Sequence, residues 1–176
     1  GKSFICDIVT SFPCKVIIRY HNITPPSFFK KSNPEGYRSC MEGLEQIAAL
    51  MKKIPYVWGD SQFNCSDLIS YGAKPANMRV LPIFMNLERL ASAPSDEKLD
   101  CALKQGEKYI LFVGRVVPNK CFEDILDLFE CYYRFHNSAT KLILVGNDAC
   151  DQDYAREIKE KLDQLSCKQQ VIFTGK

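Results

Sequence analysis

The run Gly114-Arg115-Val116-Val117-Pro118-Asn119-Lys120 places a glycine and two cations within seven residues, the cations separated by four others. Arginine offers a planar fork that can take two phosphate oxygens, and lysine a compact point charge. Glycine lets a backbone approach a ligand closely. The run follows the continuous apolar segment YILFV and precedes a helical pattern, so it reads as a strand-to-helix loop. In open α/β sheets, ligands bind beyond the carboxyl ends of the strands. A helix N-terminus there adds unsatisfied N–H groups and a partial positive charge. Such a loop could hold a diphosphate and offset its charge without a metal. The spacing is neither that of a P-loop nor that of the dinucleotide-binding glycine fingerprint. Arginine and lysine beside a turn are also what an ordinary solvated face looks like.

His21 opens the loop His21-Asn22-Ile23-Thr24-Pro25-Pro26, which its two prolines force out of regular structure. A histidine there can hydrogen-bond or titrate, or be held by its own loop with no further role. Asn22 is a further polar candidate, although Asn before a turn usually bonds its local backbone. Gly146 and Gly175 each end a predicted strand and read either as the lining of a ligand site or as plain turn glycines. His136 falls at a helix end and reads as structural or surface.

The elements that must position these residues follow from periodicity. Residues 15–20 (KVIIRY) predict a strand, 38–53 a helix, 56–59 (YVWG) a strand and 78–83 (MRVLPI) a third strand. Ser66 is a candidate cap for a short helix reaching Ser70, with Gly72 as its stop. Residues 90–106 lose the pattern, though 96–103 tolerate a short helix. Beyond them come strands at 109–113, 141–145 and 171–174, alternating with helices at 123–135 and 151–165. Strand 109–113 reads as buried on both faces of a parallel sheet. The expected fold class is α/β, two incomplete Rossmann-like domains with parallel sheets. Their expected bounds are 1–90 and 108–176, with a linker at 91–107. A first residue Gly1 and a last residue Lys176 directly after a strand read as a piece of a longer protein.

Composition narrows the classes. Of 176 residues, 46% are hydrophobic and 25% charged, enough to bury a core. A formal net charge of +2 is too small to suggest a nucleic-acid or membrane-surface binder, so no nucleic acid is expected as a partner. No stretch approaches the length of a spanning helix. The nine cysteines are scattered, with neither the tight spacing of a disulfide framework nor that of a zinc site, and read as reduced thiols of a cytosolic protein. No metal site is expected.

The segments ILFVGRVVPNK, KLILVGND and VIFTG, with helices between them, resemble the opening of the C-terminal domain of family 4 glycosyltransferases. Upstream, VIIRYHN with its proline-rich loop, WGDSQFNCSDLISYG and MRVLPIFMNLERL are similar to the second half of that family's N-terminal domain. The resemblance covers nearly the whole chain in order and is closest to the mannosyltransferase-like group of surface polysaccharide assembly. It implies the GT-B architecture, a retaining mechanism and a nucleotide diphosphate sugar donor. A saccharide or lipid-linked acceptor is implied as well, with peripheral contact at the inner membrane face if the acceptor is lipid-linked. Gly114, Arg115 and Lys120 would hold the donor diphosphate, and His21 would reach the donor sugar as the catalytic-site histidine. Asn22 would share that duty, and Gly146 and Gly175 would line the nucleotide side. No cofactor is implied.

Cys121 stands where the family most often has Gly, which implies an altered start to the following helix. A thiol at a helix N-terminus can be acidified, against the blander reading of an inert buried cysteine. The chain ends before the family's E-x7-E segment and begins after its N-terminal glycine-rich loop, so half a donor site and no activity in isolation are expected. The competing readings are a GT-B nucleotide-sugar epimerase or phosphorylase, and a non-catalytic Rossmann-like phosphate-binding module.

Overall fold

Among the described residues, five helices begin where a short polar side chain accepts a backbone proton three residues on: Asn33 from Gly36, Ser61 from Asn64, Asn86 from Arg89, Asp96 from Leu99 and Asp151 from Tyr154. These caps move two helix starts upstream of the expected ones. In the computed structural model, which describes residues 3–103 and 107–175, the chain divides into two units, Gly1–Ala91 and Ser92–Lys176.

The first unit runs α1 (Phe4–Val9), β1 (Ile17–Tyr20), α2 (Pro34–Met51), β2 (Tyr56–Gly59), α3 (Gln62–Ser70), β3 (Met78–Val80) and α4 (Leu87–Ala91). Its three strands are parallel in the order β1-β2-β3, with Tyr20 opposite Gly59 and Val57 opposite Met78. Helix α2 starts at Pro34 rather than residue 38, because Asn33 caps it and proline suits the first helical position. Ser61, not Ser66, caps α3, while Gly72 does stop it, at φ +101°. Strand β3 is shorter than expected: its last bond beyond Val80 is Leu81 N–H to Gly59 O at 2.9 Å, and Pro82 has no N–H to continue. Helix α1 was not expected at all. Gln46 of α2 holds its start, donating to Ser3 O at 2.7 Å and accepting from Ser3 N at 2.9 Å. The core gathers Tyr20, Ile47, Leu50, Val57, Leu68 and Met78.

The second unit runs α5 (Glu97–Ala102), β4 (Tyr109–Val113), α6 (Phe122–Phe135), β5 (Lys141–Val145), α7 (Gln152–Gln164) and β6 (Val171–Phe173). Strands β4-β5-β6 are again parallel and in sequence order. Helix α5 occupies the expected linker, of which residues 104–106 lie outside the described residues. Phe122, Leu126 and Phe129 of α6 and Tyr154 and Ile158 of α7 pack with Leu142 and Leu144 of β5. Each such fully buried side chain contributes about 1.5–3 kcal/mol of transfer free energy. The central strand β5 is buried as expected for a parallel sheet, but β4 is not: Leu111 is 62% and Val113 67% exposed. Phe112 faces the helices, whereas these neighbours lie on the opposite pleat of an edge strand that the two helices leave open.

Candidate functional site

The ladder between β4 and β5 does not stop where the strands do. Gly114 N–H donates to Val145 O at 2.9 Å and Val116 N–H to Asn147 O at 3.0 Å, so the cationic loop is stitched to the chain leaving β5. That approach demands Gly146. A Cβ there would stand 1.8 Å from Gly114 O and 2.7 Å from Gly114 C. Beside the two readings of Gly146, site lining or a plain turn, the structure sets a further demand at this position, the close packing of two backbones.

Val116, Val117 and Pro118 are buried and pin the middle of the loop, leaving Arg115 and Lys120 exposed at its ends. A 3-10 turn over Pro118–Lys120 swings the chain back. The Lys120 stem then crosses Gly114, its Cδ lying 3.7 Å from where a Cβ on that glycine would stand. The structure thus brings Gly114, Gly146 and Lys120 together. Among the described residues, no side-chain hydrogen bond or ion pair engages Arg115 or Lys120, although lysines and arginines elsewhere form seven ion pairs.

The helix end that follows is less available than expected. Phe122 N–H already donates to the Tyr154 hydroxyl at 2.9 Å, and that hydroxyl donates to the Glu123 carboxylate. Burial, followed by the bond to Glu123, pushes the Tyr154 phenol well above its usual range, so it stays a donor. Glu123 and Asp124 in the first turn also offset the positive end of the helix dipole. An anion placed at this loop would therefore be met chiefly by the two side-chain cations.

Cys121 adopts φ +49°, ψ +52°, the left-handed conformation that glycine takes without strain. Its thiol is pushed up by burial and by the Glu123 and Asp124 charges, the opposite of an acidified cysteine. Gly175, at φ +80°, lies just past β6, whose ladder extends through Thr174 N–H to Leu144 O at 3.0 Å. The positive φ of Gly175 is a conformation that glycine adopts without strain.

In the first unit His21 leaves the end of β1, and its Nδ1 lies 2.5 Å from Asp60 Oδ2. Arg19 Nε donates to Asp60 Oδ1 at 2.9 Å. Burial raises the Asp60 carboxyl, but the bonds from His21 and Arg19 outweigh it and hold the group below the usual carboxylate range. Asp60 is the site residue that sequence reasoning missed. Its signal was positional: Tyr20 pairs with Gly59, so the next residues of the two strands are neighbours.

Asn22 uses its amide oxygen locally. Its Oδ1 accepts from Ile23 N–H at 2.8 Å and lies 3.2 Å from the Tyr20 hydroxyl, which donates to Asp67 Oδ2 at 2.6 Å. His136 stacks edge-on against Tyr132 at the end of α6, a structural role. All nine cysteines are free. Among the described residues, no group of three or more His, Cys, Asp or Glu side chains could hold a metal ion, and no helix is long and apolar enough to cross a membrane.

Residues 96–176 match the family model of the glycosyl transferases group 1. No curated protein matches the chain in sequence. Solved structures share its fold. Anabaena HepE, in complex with UDP and glucose, is 19% identical at a TM-score of 0.68, over 90% of this chain and 40% of its own. Sucrose-phosphate synthase of Thermosynechococcus elongatus is 18% identical at 0.71, over 97% of this chain and 41% of its own. A variant of S. aureus TarM, in complex with UDP, fondaparinux and alpha-GlcNAc-glycerol, is 16% identical at 0.53, over 90% and 28%. The fold is therefore that of GT-B glycosyltransferases, and this chain spans well under half the length of each of these structures.

Proposed function

We propose that this protein is a retaining glycosyltransferase that moves a hexosyl group from a nucleotide diphosphate sugar to a saccharide or lipid-linked acceptor, in polysaccharide or glycan assembly. The observation that carries the reading is the pair Arg115 and Lys120: two cations without side-chain partners among the described residues, on a loop fixed at the carboxyl ends of a parallel sheet. That loop lies inside the segment matching the glycosyltransferase family model. Two neighbours of the same fold are described with UDP, which supports a nucleotide-linked donor.

In this reading Arg115 and Lys120 grip the diphosphate and stabilise the charge that builds on it as the glycosidic bond breaks, where electrostatic stabilisation lowers the barrier most. Gly114 lets the phosphates approach the backbone. His21 contacts the donor sugar. Membership of family 4 and of its mannosyltransferase-like group, and chemistry without a metal cofactor, belong to the same proposal.

The test is calorimetric titration of UDP, GDP and ADP into the full-length protein and its Arg115→Ala and Lys120→Ala variants. Losing a charge-assisted contact should weaken the preferred diphosphate about tenfold or more in each variant. Neither change should shift stability beyond about 0.5 kcal/mol, since both are surface positions. Unaltered titrations in both variants would remove the assigned role. A labelled-sugar assay then separates transfer from epimerisation or phosphorolysis.

A further inference from the structure

An ionised carboxylate accepts hydrogen bonds and donates none. Asp60 follows β2 directly, as His21 follows β1, and the parallel register sets the two side chains at adjacent strand ends. Each Asp60 oxygen has its own partner: Oδ2 faces His21 Nδ1 at 2.5 Å and Oδ1 accepts from Arg19 Nε at 2.9 Å. Arg19 is itself anchored, its Nη2 reaching the carbonyl oxygens of Leu81 and Pro82 at 3.4 and 3.3 Å. The Asp60 side chain is 11% exposed and that of His21 is 62%. A covered, doubly held carboxylate thus presents an open imidazole.

The permanently cationic Arg19 takes one Asp60 oxygen and His21 faces the other, so the carboxylate has no proton to offer the ring. In a neutral imidazole whose Nδ1 faces an acceptor-only oxygen, the proton sits on Nδ1, and Nε2 is left as a bare acceptor. We propose that Asp60 is a positioning residue that fixes the Nδ1–H tautomer of His21, so that Nε2 accepts a hydrogen bond from a hydroxyl of the bound sugar. The identity of that hydroxyl rests on the nucleotide-sugar reading above; the tautomer does not. The consequence is a preference. A deoxy sugar leaves Nε2 without its partner, and a carboxylate at the same place meets a lone pair, so a neutral hydroxylated hexose is selected over both.

The tautomer is read from long-range proton–nitrogen correlations of His21 in the 15N-labelled full-length protein at pH 8, with His21→Gln assigning the signals. The expected result is Nδ1–H in the native protein and a swing toward Nε2–H in Asp60→Asn, whose amide can donate to Nδ1. A native Nε2–H tautomer overturns the proposal, and that measurement does not depend on Asp60→Asn folding. A variant that folds and keeps Nδ1–H overturns it equally. Turnover supplies the second arm, using UDP-glucose or GDP-mannose, whichever nucleotide calorimetry selects, and the uronate analogue of the same sugar. A hydroxyl can bond either tautomer, whereas a carboxylate can only accept. The native protein should therefore prefer the hydroxylated sugar by about tenfold or more, and Asp60→Asn should lose most of that preference, with affinity for the free nucleoside diphosphate unchanged. An equal preference in both proteins denies the Asp60 role. If the native protein binds no nucleoside diphosphate, the parent reading and the sugar hydroxyl fall together, while the nitrogen spectra still decide whether Asp60 sets the ring.

Discussion

The two units finish their parallel strands with opposite electrostatics. At the carboxyl end of the first sheet, Arg19, Asp60 and His21 are turned on one another. At the corresponding end of the second, Arg115 and Lys120 have no such partners among the described residues. Exposed ion pairs contribute only about 0–1 kcal/mol to stability, so the first arrangement is better understood as orientation than as reinforcement. The second leaves its charge without a side-chain partner, which the proposed diphosphate contact would use. One scaffold supports both because the strands only deliver residues to an edge; what the residues do there depends on their neighbours.

The sharpest way to break this comparison is at the glycines that end the central strands. Gly146→Ala drives a Cβ into Gly114 O, with backbone on both sides. It should cost about 3 kcal/mol or more in urea denaturation of the second unit, in the range of the worst steric changes. Diphosphate binding should vanish with it. The first-unit counterpart is milder: a Cβ on Gly59 meets Cys65 Sγ at 2.8 Å, a side chain that can move, and Cys65 N at 2.9 Å. Gly59→Ala should therefore cost less than Gly146→Ala, and equal losses would mean that the stitched loop is not the tighter contact. Next in size is Tyr154→Phe, which strips Phe122 N–H and Glu123 of their partner. Leaving a buried N–H unsatisfied should cost about 1–3 kcal/mol by the same measurement. The smallest effect has the opposite sign. Cys121→Gly should raise stability by about 0.5 kcal/mol, the left-handed strain removed being partly cancelled by glycine's greater entropy when unfolded.

Much of the scaffold was legible because the strands are short apolar runs bounded by breakers: β2, β4 and β5 fall where YVWG, YILFV and KLILV stand. What was not legible depends on contacts distant in sequence. Helix α1 needs Gln46, 43 residues from Ser3. Asp60 looked like a turn residue, since nothing local says that its strand lies beside that of His21. Exposure of Leu111 and Val113 follows from the packing of α6 and α7 on the other face of the sheet, which an apolar run cannot announce. The cationic loop was visible in its residue types, but the use of Phe122 N–H by Tyr154 was hidden by a separation of 32 residues. Cys121 was noticed as a departure from the family's glycine, and its left-handed φ supplies the physical reason why glycine suits that position.

The two extra rungs joining Gly114 and Val116 to the chain beyond β5 have an effect on recognition. A free loop would surrender its conformational freedom at the moment a ligand arrived, and affinity would be lowered by that loss. Here the backbone freedom is gone once the sheet has formed. The side chains of Arg115 and Lys120 are left to settle, so an anion held as proposed would meet a backbone shaped before it came.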